Sequence, residues 1–227
     1  MNIVVFTGAG ISAESGLKTF RDSGGLWEEH RIEDVATPEG WARNPQMVLD
    51  FYNERRKQVI AAKPNAAHTA IPLLESKFNV QVITQNIDDL HERGGSKKVV
   101  HLHGEILKSR STLNPRLVYD IKGDSINMGD KCEMGSQLRP HIVWFGEMVP
   151  MLETAMMHAQ KADIFIVIGS SLQVYPAASL IEFAPEESIK YLIDPNAESL
   201  PGIFNLTIIK EKAAKAVPKL VEQLLKK

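Results

Sequence analysis

The chain has 227 residues, 44% of them hydrophobic, with 26 lysines and arginines against 28 aspartates and glutamates. That length can bury one large core or a core plus a small module, and the near balance of charge gives no basis for strong non-specific attraction to nucleic acid or acidic membranes. A single cysteine, Cys132, excludes an internal disulfide and a zinc site built from thiolates alone.

Residues 1–6 carry no basic segment, and their apolar run is too short for a signal peptide or a membrane span, so a soluble, cytoplasmic protein is expected. Residues 3–6 are a short β-branched strand running into Thr7-Gly8-Ala9-Gly10, a glycine turn. Similar runs recur at 80–84, 99–102, 164–168, 189–193 and 206–209. Continuous apolar runs suit strands covered on both faces of a parallel sheet. Helical patterns fall between several of them, at 66–78, 152–159 and 177–183, and a last amphipathic helix spans about 214–225. The alternation predicts an α/β fold, a doubly wound, Rossmann-like parallel sheet.

Two stretches break the alternation. Residues 16–64 show no clear strand and end in a long helix starting near Asn44-Pro45, where Asn can cap and Pro suits the first turn. Residues 105–138 are polar and punctuated by turn signals. Together they predict one catalytic domain, 1–227, carrying a small inserted lobe from about 30–75 and 105–138.

The chemistry-bearing motifs sit at strand ends. Gly8-Ala9-Gly10-Ile11-Ser12-Ala13 follows the first strand and lets a backbone approach a pyrophosphate. A dehydrogenase should then show a second strand ending in an acidic residue about 20 residues on. Ser23-Gly24-Gly25-Leu26-Trp27 stands there instead. Phe20-Arg21 reads equally as a buried ring beside a surface ion pair or as a lid over a phosphate-bearing ligand. Gln85-Asn86-Ile87-Asp88 closes the 80–84 strand, where an amide and a carboxylate can read another amide or simply cap a helix.

His103 ends the next strand beside Gly104, placed to act as a general base, while His101 is assigned to the other side of the extended chain. Arg139–Glu147 reads as a core strand or as an edge to which a peptide could add. Gly169-Ser170-Ser171 is a small-residue turn suited to phosphate or ribose.

The ordered set GAGIS, TFR, QNID, LHG, RPHIVWFGE and GSSL, spread from Gly8 to Leu172, resembles the sirtuin family. The resemblance implies an NAD-dependent enzyme that removes acyl groups from protein lysines, yielding nicotinamide and an O-acyl-ADP-ribose. It implies NAD contacts at Gly8, Ala9, Gly10, Ser12, Phe20, Arg21, Trp27, Gln85, Asn86, Ile87, Asp88, Gly169, Ser170 and Ser171. Ala213 falls where the family places backbone contact to adenine. The resemblance also places Leu192 and Asp194 at the cofactor, Leu192 standing where an Asn is common and Asp194 nearby as a substitute for its adenosine contact. Asn86 and Asp88 would hold the nicotinamide amide, and His103 would act as base on a ribose hydroxyl. Val143, Phe145, Gly146, Glu147, Gln173 and Val174 would grip the substrate backbone.

Many sirtuins carry two Cys-x-x-Cys pairs between the LHG and FGE segments. Here Ser109-Arg110-Ser111 and Lys131-Cys132-Glu133-Met134 stand in that stretch, so the lobe is expected to fold without a metal. Ala36, Tyr52 and Arg55 resemble the sirtuin class that removes succinyl and malonyl groups, in which a tyrosine hydroxyl and a guanidinium bind the distal carboxylate. Tyr52 and Arg55, three apart on the long helix, share one face. Acylated-lysine proteins are the expected partners, without nucleic acid or membrane, and a monomer is expected. The competing readings are ADP-ribosyl transfer at the same NAD site, an NAD-sensing module without turnover, and a dehydrogenase.

Overall fold

The computed structural model describes residues 1–18, the backbone of 26–27, and residues 30–226. In chain order the first half comprises β1 (Asn2–Thr7), α1 (Gly10–Ala13), the two-residue strands β2 (Leu26–Trp27) and β3 (His30–Arg31), α2 (Ile32–Val35), α3 (Pro38–Arg43), α4 (Pro45–Ala61) and α5 (Ala66–Ala70). There follow β4 (Asn79–Thr84), α6 (Leu90–Arg93), β5 (Val99–His101), β6 (Gly104–Ser111), β7 (Val118–Asp120) and β8 (Leu138–Ile142). The chain ends with α7 (Leu152–Ala159), β9 (Ile164–Ile168), β10 (Ile189–Ile193), β11 (Leu206–Ile209) and α8 (Ala213–Lys226).

Six strands form one parallel sheet in the order β11-β10-β9-β1-β4-β5. The first strand lies in the middle, the next two on one side and the last three on the other, which is the doubly wound arrangement. All six expected runs are in it. Alternate residues supply opposite cores: Ile3, Val5 and Val82 face α5 and α8, whereas Val4, Phe6 and Val167 face α7 and the 3-10 helix Ala177–Phe183. Burial on both faces is why these strands read as unbroken apolar runs.

The helix expected over 66–78 is α5 followed by the 3-10 helix Ile71–Ser76, because Pro72 has no N–H to continue an α-helical ladder. Ala67, Ala70, Ile71 and Leu74 pack in the sheet core, so the chain has rejoined the sheet by residue 66, earlier than the expected 75.

The lobe combines α2–α4 with an antiparallel sheet ordered β7-β6-β8. Asn44 accepts from Met47 N (3.1 Å) and Pro45 opens α4, as the sequence suggests. Helix α4 is the lobe's spine. Its fully buried Arg56 donates to the carbonyls of Ile106 (2.7 Å) and Asp124 (3.2 Å) and to Asn53 Oδ1 (2.6 Å), while Asn53 exchanges hydrogen bonds with the backbone of Ile126.

At the far end Cys132 Sγ lies 3.3 Å from both the Ser111 and Ser136 hydroxyls, which are 2.8 Å apart. Ser111 Oγ also accepts from the backbone N–H groups of Leu113 and Asn114, each at 3.1 Å. A thiol and two hydroxyls thus tie the hairpin ends together by hydrogen bonds. Among the described residues no helix is long and apolar enough to cross a membrane, and no group of three or more His, Cys, Asp or Glu side chains is placed to hold a metal ion.

Candidate active site

The topological switch point lies between β1 and β9, where the strands on either side lead away in opposite directions. Thr7 is level with Thr84 on one neighbour and Ile168 on the other, so the loops after β1, β4 and β9 leave the sheet side by side. Gly8 N donates to Ile168 O (3.0 Å) and Gly10 N to Gly169 O (2.8 Å). A Cβ on Gly8 would fall 2.7 Å from Gly169 O, and one on Gly169, at φ +60°, only 2.4 Å from Ile11 N. Only glycine permits this contact. It joins the two small-residue turns into one floor.

Polar side chains converge beside that floor. Thr7 Oγ1 donates to Thr84 Oγ1 (2.8 Å), which in turn accepts from Asn86 N (3.0 Å). The buried Asn86 amide donates to Gly8 O and to Ser12 Oγ, both at 3.1 Å. Ser12 Oγ donates to Asp88 Oδ2 (3.0 Å), while Asp88 Oδ1 accepts from Leu90 N (3.1 Å). Asp88 thus holds the N–H of the first residue of α6 and at the same time faces Ser12. Burial raises its carboxyl above the ordinary range against the pull of these two donors. Gln85 Oε1 accepts from Ser170 Oγ (3.0 Å) and links the β4 and β9 loops. Leu172 holds a left-handed φ of 55° just beyond, its N–H on Ser170 Oγ (3.2 Å).

His103 follows β5. Its Nδ1 is 3.0 Å from Gln85 O, an acceptor, so Nδ1 carries the proton and Nε2 keeps a lone pair. Burial lowers its pKa, with the Gln85 hydrogen bond opposing. The imidazole is thereby kept neutral and able to take a proton near neutrality. His103 O accepts from Val143 N (2.9 Å) and Ala36 O from Phe145 N (3.0 Å), which pins the extended run after β8 between His103 and the lobe helices. This donor and acceptor set, an amide, hydroxyls, a buried carboxyl and glycine-floored turns, fits an amide-bearing dinucleotide.

The pattern of the Sir2 family matches residues 8–176. The chain belongs to the Sir2 family. It is 50% identical over 229 residues to an NAD-dependent protein deacylase of Bacteroides thetaiotaomicron, covering 99% of this chain and 98% of that protein. It is 52% identical over 224 residues to an NAD-dependent protein deacylase of Helicobacter pylori, covering 99% and 97%. The crystal structure of a Sir2 homologue in complex with NAD superposes with a TM-score of 0.89 at 40% identity, covering 99% of this chain and 90% of that one.

The structure adds to several residues of this Sir2 chain what the sequence did not show. The Glu147 carboxylate is engaged within the chain. It accepts from Arg139 Nη1 (2.7 Å), Arg110 Nη2 (3.0 Å) and Trp144 N (2.8 Å). Burial would raise its pKa, but the hydrogen bonds from Arg139 and Trp144 N and the neighbouring charges hold it below the usual range. Leu192 points into the apolar cluster with Val4 and Val167, so its side chain cannot meet a ligand. Ile87 packs on the lobe cluster, and its carbonyl accepts from Ile106 N (2.8 Å). His101 was assigned to the face opposite His103. In fact both imidazoles turn to the same loop, as residues two apart in an extended chain must.

Asp194 follows β10, and Ala213 opens α8 after the neighbouring β11. Asp194 accepts from Asn196 N (2.8 Å), and the Ala213 methyl is in the core, leaving only its backbone. Ser171 and Val174 are half-buried, whereas Phe145, Gly146 and Gln173 are exposed. Phe20 and Arg21 lie outside the described residues, and Trp27 is described only as the backbone partner of His30.

On α4, Tyr52 and Arg55 share the buried face. Tyr52 OH accepts from Trp144 Nε1 (3.1 Å), and Arg55 Nη2 donates to Lys18 O (2.9 Å). Ala36 and Trp144 pack in the same cluster, and the Arg139 guanidinium stacks 3.2 Å from the Trp144 ring centre. Sequence reasoning missed Thr7 and Thr84. Paired threonines at the level ends of neighbouring strands were the available signal.

Proposed function

We propose that this Sir2 chain removes acyl groups from protein lysine side chains at the expense of NAD, releasing nicotinamide and forming an O-acyl-ADP-ribose, and that it accepts succinyl and malonyl groups as well as acetyl. The observation that carries the reading is His103, a neutral imidazole with Nε2 free of its own proton, held by the same loop as Asn86 and Asp88.

In this reading Asn86 and Asp88 meet the carboxamide of the dinucleotide, and Ser170 and the glycine floor meet its phosphates and ribose. His103 Nε2 takes the proton of a ribose hydroxyl, which lets that oxygen accept the acyl group. The extended run from Val143 pairs its backbone with the substrate chain. Tyr52 and Arg55 supply a hydroxyl and a guanidinium to the distal carboxylate of an acidic acyl chain, and the small Ala36 leaves it room. The sheet and the lobe act as one catalytic domain. The protein works as a cytoplasmic monomer on acylated-lysine proteins, without nucleic acid or membrane.

A panel of peptides differing only in the acyl group, assayed with NAD, tests this. Nicotinamide should be released only when acyl-lysine is present, and mass analysis should find acyl-ADP-ribose. ADP-ribosylated protein instead would replace the reading with a transferase. Arg55→Met should raise KM for succinyl-lysine far more than for acetyl-lysine, and equal losses on both would remove the acidic-pocket assignment.

A further inference from the structure

His101 makes two hydrogen bonds that a neutral imidazole cannot make together. Nδ1 is 3.2 Å from the backbone carbonyl of Asn86, and Nε2 is 2.7 Å from Glu92 Oε1. A carbonyl oxygen only accepts, and so does an ionised carboxylate, whereas neutral imidazole has one N–H to give. Both bonds at once require the imidazolium. Asn86 is otherwise fixed at its N–H by Thr84 and at its amide by Gly8 O and Ser12. Its backbone carbonyl is a further handle, and His101 holds it.

We propose that His101, charged and braced by Glu92, is a positioning residue that fixes Asn86 for the nicotinamide step, while its neighbour His103 stays neutral to act as base. This rests on the reading that Asn86 meets nicotinamide. Two histidines two residues apart thus take opposite protonation states because one faces a carboxylate and the other only a carbonyl.

The groups around His101 agree with this division. Burial alone would lower its pKa. The hydrogen bond and charge of Glu92, the Asn86 carbonyl and the more distant Glu105 outweigh burial and raise it. Asp88 and the fully buried His91 also feel its charge, and Lys108 faces Glu92. With a raised pKa, the clamp is complete at low pH and is lost as pH rises through that value. His103 works in the other direction, becoming competent as pH rises through its lowered value. The rate should therefore be bell-shaped in pH, the acid limb belonging to His103 and the alkaline limb to His101.

The test is the pH profile of acyl-peptide deacylation, read as O-acyl-ADP-ribose formed, with nicotinamide exchange followed separately, in the intact protein and in Glu92→Gln, His101→Gln and His101→Ala. Glu92→Gln should move the alkaline limb to lower pH and leave the acid limb in place. His101→Gln, which keeps an N–H donor but cannot titrate, should flatten the alkaline limb. His101→Ala should lower kcat by roughly tenfold, the worth of one hydrogen bond from a charged donor, with KM for peptide unchanged.

A wild-type profile flat on the alkaline side overturns the proposal. So does a limb that stays fixed in Glu92→Gln while NMR of the His101 ring shows its titration has moved. Asn86→Ala separates the two readings. If it retains exchange, the assignment of Asn86 to nicotinamide fails. If it is inactive while the alkaline limb ignores Glu92, only the clamp fails.

Discussion

Replacing Glu147 by alanine would leave the Arg110 and Arg139 guanidiniums, both nine-tenths buried, facing each other without a counter-charge. Breaking one partner out of a buried ion pair costs about 3–5 kcal/mol, a large share of a net stability of about 5–15 kcal/mol. At about 2–4 °C per kcal/mol for a chain of this size, Tm should fall by roughly 6–20 °C. Glu147→Gln keeps acceptor capacity without the charge and should fall between wild type and Glu147→Ala. Thermal unfolding followed by circular dichroism at neutral pH measures this. The same pair makes stability pH-dependent. The folded carboxyl is held below its unfolded value, so its contribution is complete above the unfolded pKa and is lost as pH falls through the folded one. Were Glu147 a substrate contact, Glu147→Ala would instead raise KM for peptide and leave Tm within about 2 °C, the size of a surface substitution. That result would refute the bracing argument.

Gly169→Ala should cost about 1–3 kcal/mol through a left-handed φ and a clash with Ile11 N, and should weaken NAD binding because the floor is pushed apart, read by calorimetric titration. Chelation with EDTA should leave Tm of the purified protein unchanged, since a thiol and two hydroxyls close the lobe, and metal analysis showing stoichiometric zinc would count against this. Ser111→Ala removes the acceptor shared by Leu113 N and Asn114 N and should speed amide exchange in residues 111–114 and 132–136 more than in the sheet.

The sheet was legible because its central strands, β1 and β9 above all, are covered on both faces and so read as apolar runs. Strand β6 was not, since Ser109, Arg110 and Ser111 are buried in it as polar groups and break the alternation that marks a strand. The loops of the candidate site were legible as short motifs at strand ends. What orients them was not, because Thr7 to Thr84 and His101 to Glu92 are pairings across 77 and 9 residues with no local signature. The ion pairs of Glu147 had no local signature either, because Arg110 lies 37 residues upstream of it.

Helix α4 presents Tyr52 and Arg55 to the cluster around Ala36 and Trp144 and, one residue further along, Asn53 and Arg56 to the 124–126 turn. Both sets of contacts are thus cut from a single rigid rod. A substitution in the outer turn that shifts the rod would carry the Tyr52 hydroxyl and the Arg55 guanidinium with it. The proposed acyl pocket could therefore be redesigned through residues that never touch it.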